Sequence, residues 1–517
     1  MAIADFPAIV TSRLMNDHLA IVAADGVFSH FDLAQAASLI AGELAGPGGD
    51  LKEARVAYLV PPSFAHVVVS RGIWLAGGVA VPLATSHPPA ELEYVIRDSG
   101  ASIVIGSGRH AEALETIASA TGARFLYTPD LIASALSDRD QVCERTESGV
   151  RSTSGGEPSI YRPGTQEPGT QETSGYRPDP GRRALMLYTS GTTGKPKGVV
   201  TTHGNVAAQI QMLIDAWEWT AEDRALLVLP LHHVHGFINV LGCAIAAGAS
   251  CEMLPQFDPE TAWARLASGE ITVFSAVPTI YHRLIASWET APRETQRMRS
   301  EGARRARLMM SGSAALPRRT LERWRDITGQ TLLERYGMTE LGMALSNPLH
   351  GERRPGFVGT PLPGVEARLV EGELQVRGPG VFLEYWQRPD ETRAAFDDGW
   401  FRTGDVAEIE DDSYRLLGRR SVDIIKTGGY KVSALEIEET LREHPAVADC
   451  AVIGEPDEEW GERVTALVEL EADRTLTLDQ LHAWIKPRLA PYKVPRALRC
   501  GPLPRNAMGK VVKRVAG

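Results

Sequence analysis

Runs of Val, Ile and Leu alternate along this chain with amphipathic stretches, and that rhythm restricts the fold more than any other feature. Arg55 to Val60, Gly78 to Pro82, Ala101 to Gly106 and Arg124 to Tyr127 read as strands, and Pro89 to Ser99 and Arg109 to Ala120 as helices. Near-continuous apolar strands need cover on both faces, which helices crossing over a parallel sheet provide. The expected class is α/β. At 517 residues the chain exceeds one core, and at roughly 150 residues per domain it should divide into about two to four units.

A boundary is expected near residue 420. It would separate a large domain of layered sheets and helices, 1–420, from a small mobile α+β domain, 421–517. Ser433 to Arg442 reads as a helix with Ser433 as N-cap and Glu436 placed for a capping box. Thr477 and Gln480 have the same spacing ahead of a helix from Leu478 to Leu489. Val447 to Ile453 and Arg463 to Leu470 alternate as strands. Residues 144–182 carry Ser, Gly, Thr, Pro and Arg with almost nothing apolar, so they read as a flexible surface insertion without a core.

Composition narrows the classes. Apolar content of 43% with 23% charged residues suits a globular protein that buries a large core. A net charge of −11 argues against nucleic acid as a partner. The five cysteines are scattered without metal spacing, as expected of reduced thiols. The longest apolar stretch, Gly236 to Ala249, has 14 residues, short of the roughly 20 that cross a bilayer. The first residues resemble neither a secretory signal nor a transit peptide. A cytoplasmic enzyme with no membrane or nucleic-acid partner is the expectation.

The chemistry begins at Tyr188 to Gly204, directly after the strand-like Ala184 to Leu187. Gly191, Gly194 and Gly198 allow tight turns that bring N–H groups near phosphate oxygens. Thr189, Ser190, Thr192 and Thr193 add hydroxyls, and Lys195 and Lys197 add charge. The common G-x-x-x-x-G-K-[ST] loop does not fit: Pro196 follows Gly194-Lys195, has no N–H to donate and cannot open a helix in that register.

This run resembles the signature of the acyl-adenylate-forming superfamily, which includes acyl-CoA synthetases, peptide-synthetase adenylation domains and luciferases. Further segments agree. Glu334-Arg335-Tyr336-Gly337-Met338-Thr339-Glu340 resembles the adenine and metal segment; the likeness implies that Tyr336 stacks on the base, that Thr339 and Glu340 face the phosphates, and that Glu340 holds Mg²⁺. Ser311, Gly312 and Ser313 resemble the turn bordering the adenine. Trp400 to Asp405 matches the ribose motif, with Asp405 gripping the vicinal hydroxyls and Arg419 close by. Pro504 to Lys510 resembles the final catalytic segment, in which Lys510 would bridge the carboxylate and the α-phosphate. Asp423 to Val432 resembles the hinge and pantetheine segment: Gly428, Gly429 and Lys431 would line the CoA path, and the hinge falls within 421–423.

The resemblance implies ATP, Mg²⁺ and CoA (as a substrate), and two half-reactions served by rotation of the small domain. Leu229 to Gly236, Ser275 to Tyr281, Gly359 to Gly364 and Ser421 to Glu436 are most similar to malonyl-CoA synthetases, in the branch that includes the mitochondrial enzyme of animals. The second carboxylate of malonate needs a cation inside the pocket. Arg353 is the expected partner, with His235 and His233 beside it. Malonyl-CoA, or methylmalonyl-CoA, is thus the expected product, alongside AMP and pyrophosphate. Another short- or medium-chain acyl-CoA synthetase, a carrier-protein-loading enzyme and an inactive nucleotide sensor are the alternatives. A lysine acetyltransferase acting on Lys510 would remove the bridging charge.

Overall fold

The computed structural model describes residues 18–133, 179–189, 196–420, 423–427, 430–457, 460–505 and 511–513. The predicted site residues Ser190, Gly191, Thr192, Thr193, Gly194, Lys195, Gly428, Gly429 and Lys510 lie outside them, as does most of the 144–182 segment.

Helices cover two largely parallel sheets, as the sequence rhythm requires. One has seven strands in the order Glu384–Tyr385, Lys197–Thr202, Arg183–Thr189, Val79–Pro82, Arg55–Leu59, Ile103–Gly106, Arg124–Tyr127. The other has nine and carries Leu308–Ser311 between its parallel neighbours Val273–Ala276 and Leu333–Met338. The four strands read in the first 130 residues are present within two residues of their expected ends, and Pro89–Ser99 is a helix as read. The second expected helix begins with a 3₁₀ turn, Gly108–His110, and continues as Ala111–Thr121. A five-stranded antiparallel sheet of residues 366–419 follows, and it bears the ribose motif.

The apolar stretch from Gly236 is a buried helix that passes through a π-helical turn, Phe237–Gly242, into Cys243–Ala247. Among the described residues no helix is long and apolar enough to cross a membrane. The 144–182 reading overreaches at its end, because Arg182 makes a two-pronged bond to Asp50 at 2.8 and 2.9 Å and belongs to the folded body.

Residues 423–505 form another five-stranded sheet with an apolar cluster of their own, including Ile425, Ile437, Leu441, Val452, Val464 and Ile485. Thr477 and Gln480 make the full capping box. Ser433 caps its helix, Ala434–Arg442, but Glu436 does not complete the box. Its carboxylate is held instead by the Lys493 ammonium, at 2.5 and 2.6 Å, an ionic partner that outcompetes a neutral N–H.

Candidate active site

Parallel strands that end together leave a crevice beyond their carboxyl ends, and ligands in α/β sheets bind there. In this chain Val273–Ala276, Leu308–Ser311 and Leu333–Met338 supply that edge. Successive strand residues point to opposite faces. Glu334 and Tyr336 therefore share one face, and Arg335 takes the other.

On the first face, the Tyr336 hydroxyl donates to Asp405 at 2.6 Å, and Arg419 Nε donates to the other Asp405 oxygen at 3.1 Å. Each oxygen keeps a free lone pair, so the carboxylate can still accept from a pair of hydroxyls. Burial and the neighbouring Asp405 push the Tyr336 phenol well above its ordinary range, so it stays a donor. Glu334 is buried, accepts from Gly356 N–H at 3.0 Å and, among the described residues, has no cation within ion-pair reach; burial raises its carboxyl to about 8.

Thr339 and Glu340 stand in the tight turn between Leu333–Met338 and its antiparallel partner Gly342–Ser346. Glu340 is buried, which raises its pKa, and the Tyr385 hydroxyl donates to it at 3.0 Å. Lys197, paired in register with Thr189, ion-pairs with Glu391, and its ammonium lies 5.1 Å from the Tyr385 ring centre. Tyr385 thereby joins the phosphate-loop side to Glu340. Of Lys431 the structure gives the backbone, which pairs with Lys426 in a hairpin.

The other face differs from expectation. Arg353, the expected partner of the acid, gives its guanidinium to main-chain carbonyls of Thr331, Pro348 and Leu349. These lie before Leu333–Met338 begins and in the loop leading to Arg353, so the side chain braces that loop. Arg335 is the buried cation on this face. It is 4% exposed, contacts His235 Nε2, donates to Ser275 Oγ at 3.1 Å, and leaves Nε without a hydrogen-bond partner among the described residues. Among the described residues no carboxylate pairs with it. Gly312 is needed here because a Cβ would stand 1.5 Å from Arg335 Nη1.

His235 is 4% exposed, with Nε2 2.9 Å from Ser275 Oγ and Nδ1 3.0 Å from the exposed Ser313 hydroxyl. Burial, then the Arg335 charge, holds its pKa well below the usual value, so the ring is neutral. A guanidinium only donates, which assigns the lone pair to Nε2 and the proton to Nδ1, facing Ser313. His233 is also neutral: burial, then His87, lowers it to about 4. This face therefore holds one buried positive charge beside neutral side chains, with no carboxylate partner among the described residues.

Residues 11–386 match the AMP-binding enzyme family, and residues 436–510 match the AMP-binding enzyme C-terminal domain. The chain belongs to the AMP-binding enzyme family. It is 44% identical to the mitochondrial malonate–CoA ligase of Mus musculus, over 98% of this chain and 89% of that protein. Its fold matches ATP-bound MatB from Rhodopseudomonas palustris with a TM-score of 0.82 at 32% identity, covering 98% and 97% of the two chains. A malonyl-CoA ligase ternary product complex with methylmalonyl-CoA and AMP scores 0.63 at 36% identity, covering 95% and 97%.

Among the residues of this AMP-binding enzyme that sequence reading missed, Ser275 and Tyr385 stand out. Ser275 had a signal, a lone hydroxyl inside the buried strand Val273–Ala276. Tyr385 had none, since its hydroxyl reaches Glu340 from 45 residues away.

Proposed function

We propose that the chain joins malonate to CoA at the expense of ATP, through an acyl-AMP intermediate. The observation that carries this reading is Arg335: a buried guanidinium with no carboxylate partner among the described residues, at the strand ends where ligands bind, in a relative of malonate–CoA ligases. Burying an unpaired charge costs several kcal/mol, so its partner belongs to the ligand. A monocarboxylic acid would leave Arg335 unpaired after binding. Malonate has the second carboxylate to fill the place, and Ser275 can add a hydroxyl contact.

In the first step the other malonate carboxylate attacks the α-phosphorus of ATP; an O–P bond forms, and the bond to the pyrophosphate oxygen breaks. Asp405 holds the ribose, Arg419 and the Tyr336 hydroxyl orient Asp405, and Gly337 sits in the strand beside them. Ser311 and Gly312 border the base, and the 189–197 loop takes the leaving phosphates. Lys510 supplies positive charge at the reacting oxygens. In the second step the CoA thiol attacks the acyl carbon and AMP leaves, with 428–431 lining the thiol path.

Mg²⁺ suits this site, because Glu340 offers a hard carboxylate oxygen beyond the one the Tyr385 hydroxyl engages. When bound, Mg²⁺ neutralises charge on the phosphates. The small domain turns about a hinge in 421–423 between the steps. Support comes from the two solved structures above: the chain superposes better on the ATP-bound one although it is more identical to the product complex, as expected where two parts of the chain change their arrangement. Acetylation at Lys510 would abolish the first step alone.

AMP release with an acid panel tests the reading. Malonate should exceed acetate, butyrate and benzoate in the presence of CoA. Equal use of acetate would overturn it.

A further inference from the structure

The chain on either side of residues 506–510 is pinned in place. Arg505 and Val511 form a β-bridge, and Val512 N–H donates to the Pro504 carbonyl at 2.8 Å. Arg505 pairs with Asp449 at 2.8 Å and Glu469 at 3.1 Å. Lys513, with 11% of its side chain exposed, sets its ammonium 2.6 Å from Asp423 and 2.5 Å from Glu438. Glu438 is itself buried and accepts from Val452 N–H at 2.7 Å. Burial alone would lower the Lys513 pKa, but Glu438 and Asp423 outweigh it and raise the value, so the charge is kept.

Asp423 lies at the end of the proposed hinge, and its carboxylate faces both ways. One oxygen takes Lys513; the other accepts from Arg419 N–H at 2.9 Å. The Asp423 N–H in turn donates to the Arg419 carbonyl at 2.7 Å. Gly418, at φ 124°, makes room, since a Cβ there would stand 2.4 Å from the Asp423 Cβ. Arg419 reaches Asp405. One continuous polar chain therefore runs Asp405, Arg419, Asp423, Lys513, Glu438, from the ribose site through the hinge to the small domain.

We propose that Lys513 is a positioning residue for adenylation: bridging Asp423 and Glu438, it fixes the base of the segment that carries Lys510 relative to the hinge and the ribose carboxylate. The proposal rests on the two-step reading above. Three residues of chain reach at most about 10 Å, so anchoring Lys513 bounds where Lys510 can work. Lys510 serves the first step only, and the thiol step should not need the bridge.

The test measures the half-reactions separately. Malonate-dependent exchange between ATP and pyrophosphate, without CoA, reports adenylation; thioester formation from synthetic malonyl-AMP and CoA reports the second step. Lys513→Met should lower exchange at least about tenfold while changing the thiol step less than about threefold, and Lys513→Arg should restore exchange to within about threefold. Lys513→Met also leaves Glu438 with Arg442 as its one cation among the described residues, at 3.4 Å, and costs stability. Asp423→Asn, which keeps Lys513 on Glu438, carries the same prediction without that loss. In the double variant Lys513→Met/Asp423→Asn the effects should not add, because one bridge is removed twice. Equal loss in both half-reactions, additive losses, or full exchange in Asp423→Asn would overturn the proposal. Absent malonate-dependent exchange in the unmodified protein would instead refute the functional reading, so the two failures are distinguishable.

Discussion

Two cations in this molecule are buried to a similar degree and held in opposite ways. Arg335 lies against a neutral imidazole and a serine hydroxyl, and burial lowers its pKa to about 10. Lys513 lies between two carboxylates, and there the same burial is overridden and the pKa rises. Removing one partner of a buried pair costs about 3–5 kcal/mol, because the other charge is left alone. Lys513 is spared that cost by its own fold. Arg335 has no carboxylate beside it among the described residues, and under the proposed function it bears that cost until malonate arrives.

The largest expected effect breaks the first half of the comparison. Arg335→Ala removes the cation that malonate is proposed to neutralise, and AMP release with malonate should fall about 10²- to 10³-fold. Tyr336→Phe should act less severely. Asp405 would lose its 2.6 Å donor while keeping Arg419, and KM for ATP should rise about tenfold with kcat changed little, as steady-state kinetics would show.

Stability against pH sharpens the electrostatics. Burial is the leading cause holding His66, His203 and His233 at about 4, so the native state takes up fewer protons than the unfolded chain below the ordinary value of 6.5. Their contribution is therefore present above 6.5 and is lost as pH falls towards 4, and Tm should drop over that interval. Glu334 has the opposite sign. Its carboxyl is raised to about 8, so stability declines as pH climbs from 4.5 to 8. Glu334→Gln should raise Tm at pH 8 by about 2 °C and leave it unchanged at pH 4.5, by calorimetry. The smallest effect is expected of Arg353→Ala. Its side chain braces a loop, so malonate and acetate turnover should fall by a common factor of about three or less.

Local chemistry was legible in the sequence wherever neighbours in the chain are neighbours in space. The strand runs and the Thr477 and Gln480 capping box are of that kind. The approach of Asp405 to Arg419 was foreseen from the family resemblance, and in the structure adjacent antiparallel strands pair the two directly. For the cation that meets the acid, the sequence reading expected Arg353, whereas the proposed function assigns Arg335. Arg335 sits within a motif otherwise devoted to the nucleotide, and only the alternation of strand faces shows that it points away from Glu334 and Tyr336. Arg353 has the right charge near Pro-Gly, but nothing local reveals that three carbonyls claim it. Lys513 was similarly opaque, since its partners lie 75 and 90 residues earlier.

The ratio of kcat/KM for malonate to that for acetate, measured in Arg335→Met and in Lys513→Met, tests the account most directly. Arg335→Met should collapse the ratio at least about thirtyfold, whereas Lys513→Met should lower both acids together and leave the ratio within about twofold. A ratio preserved in Arg335→Met would contradict the claim that this guanidinium receives the free carboxylate of malonate.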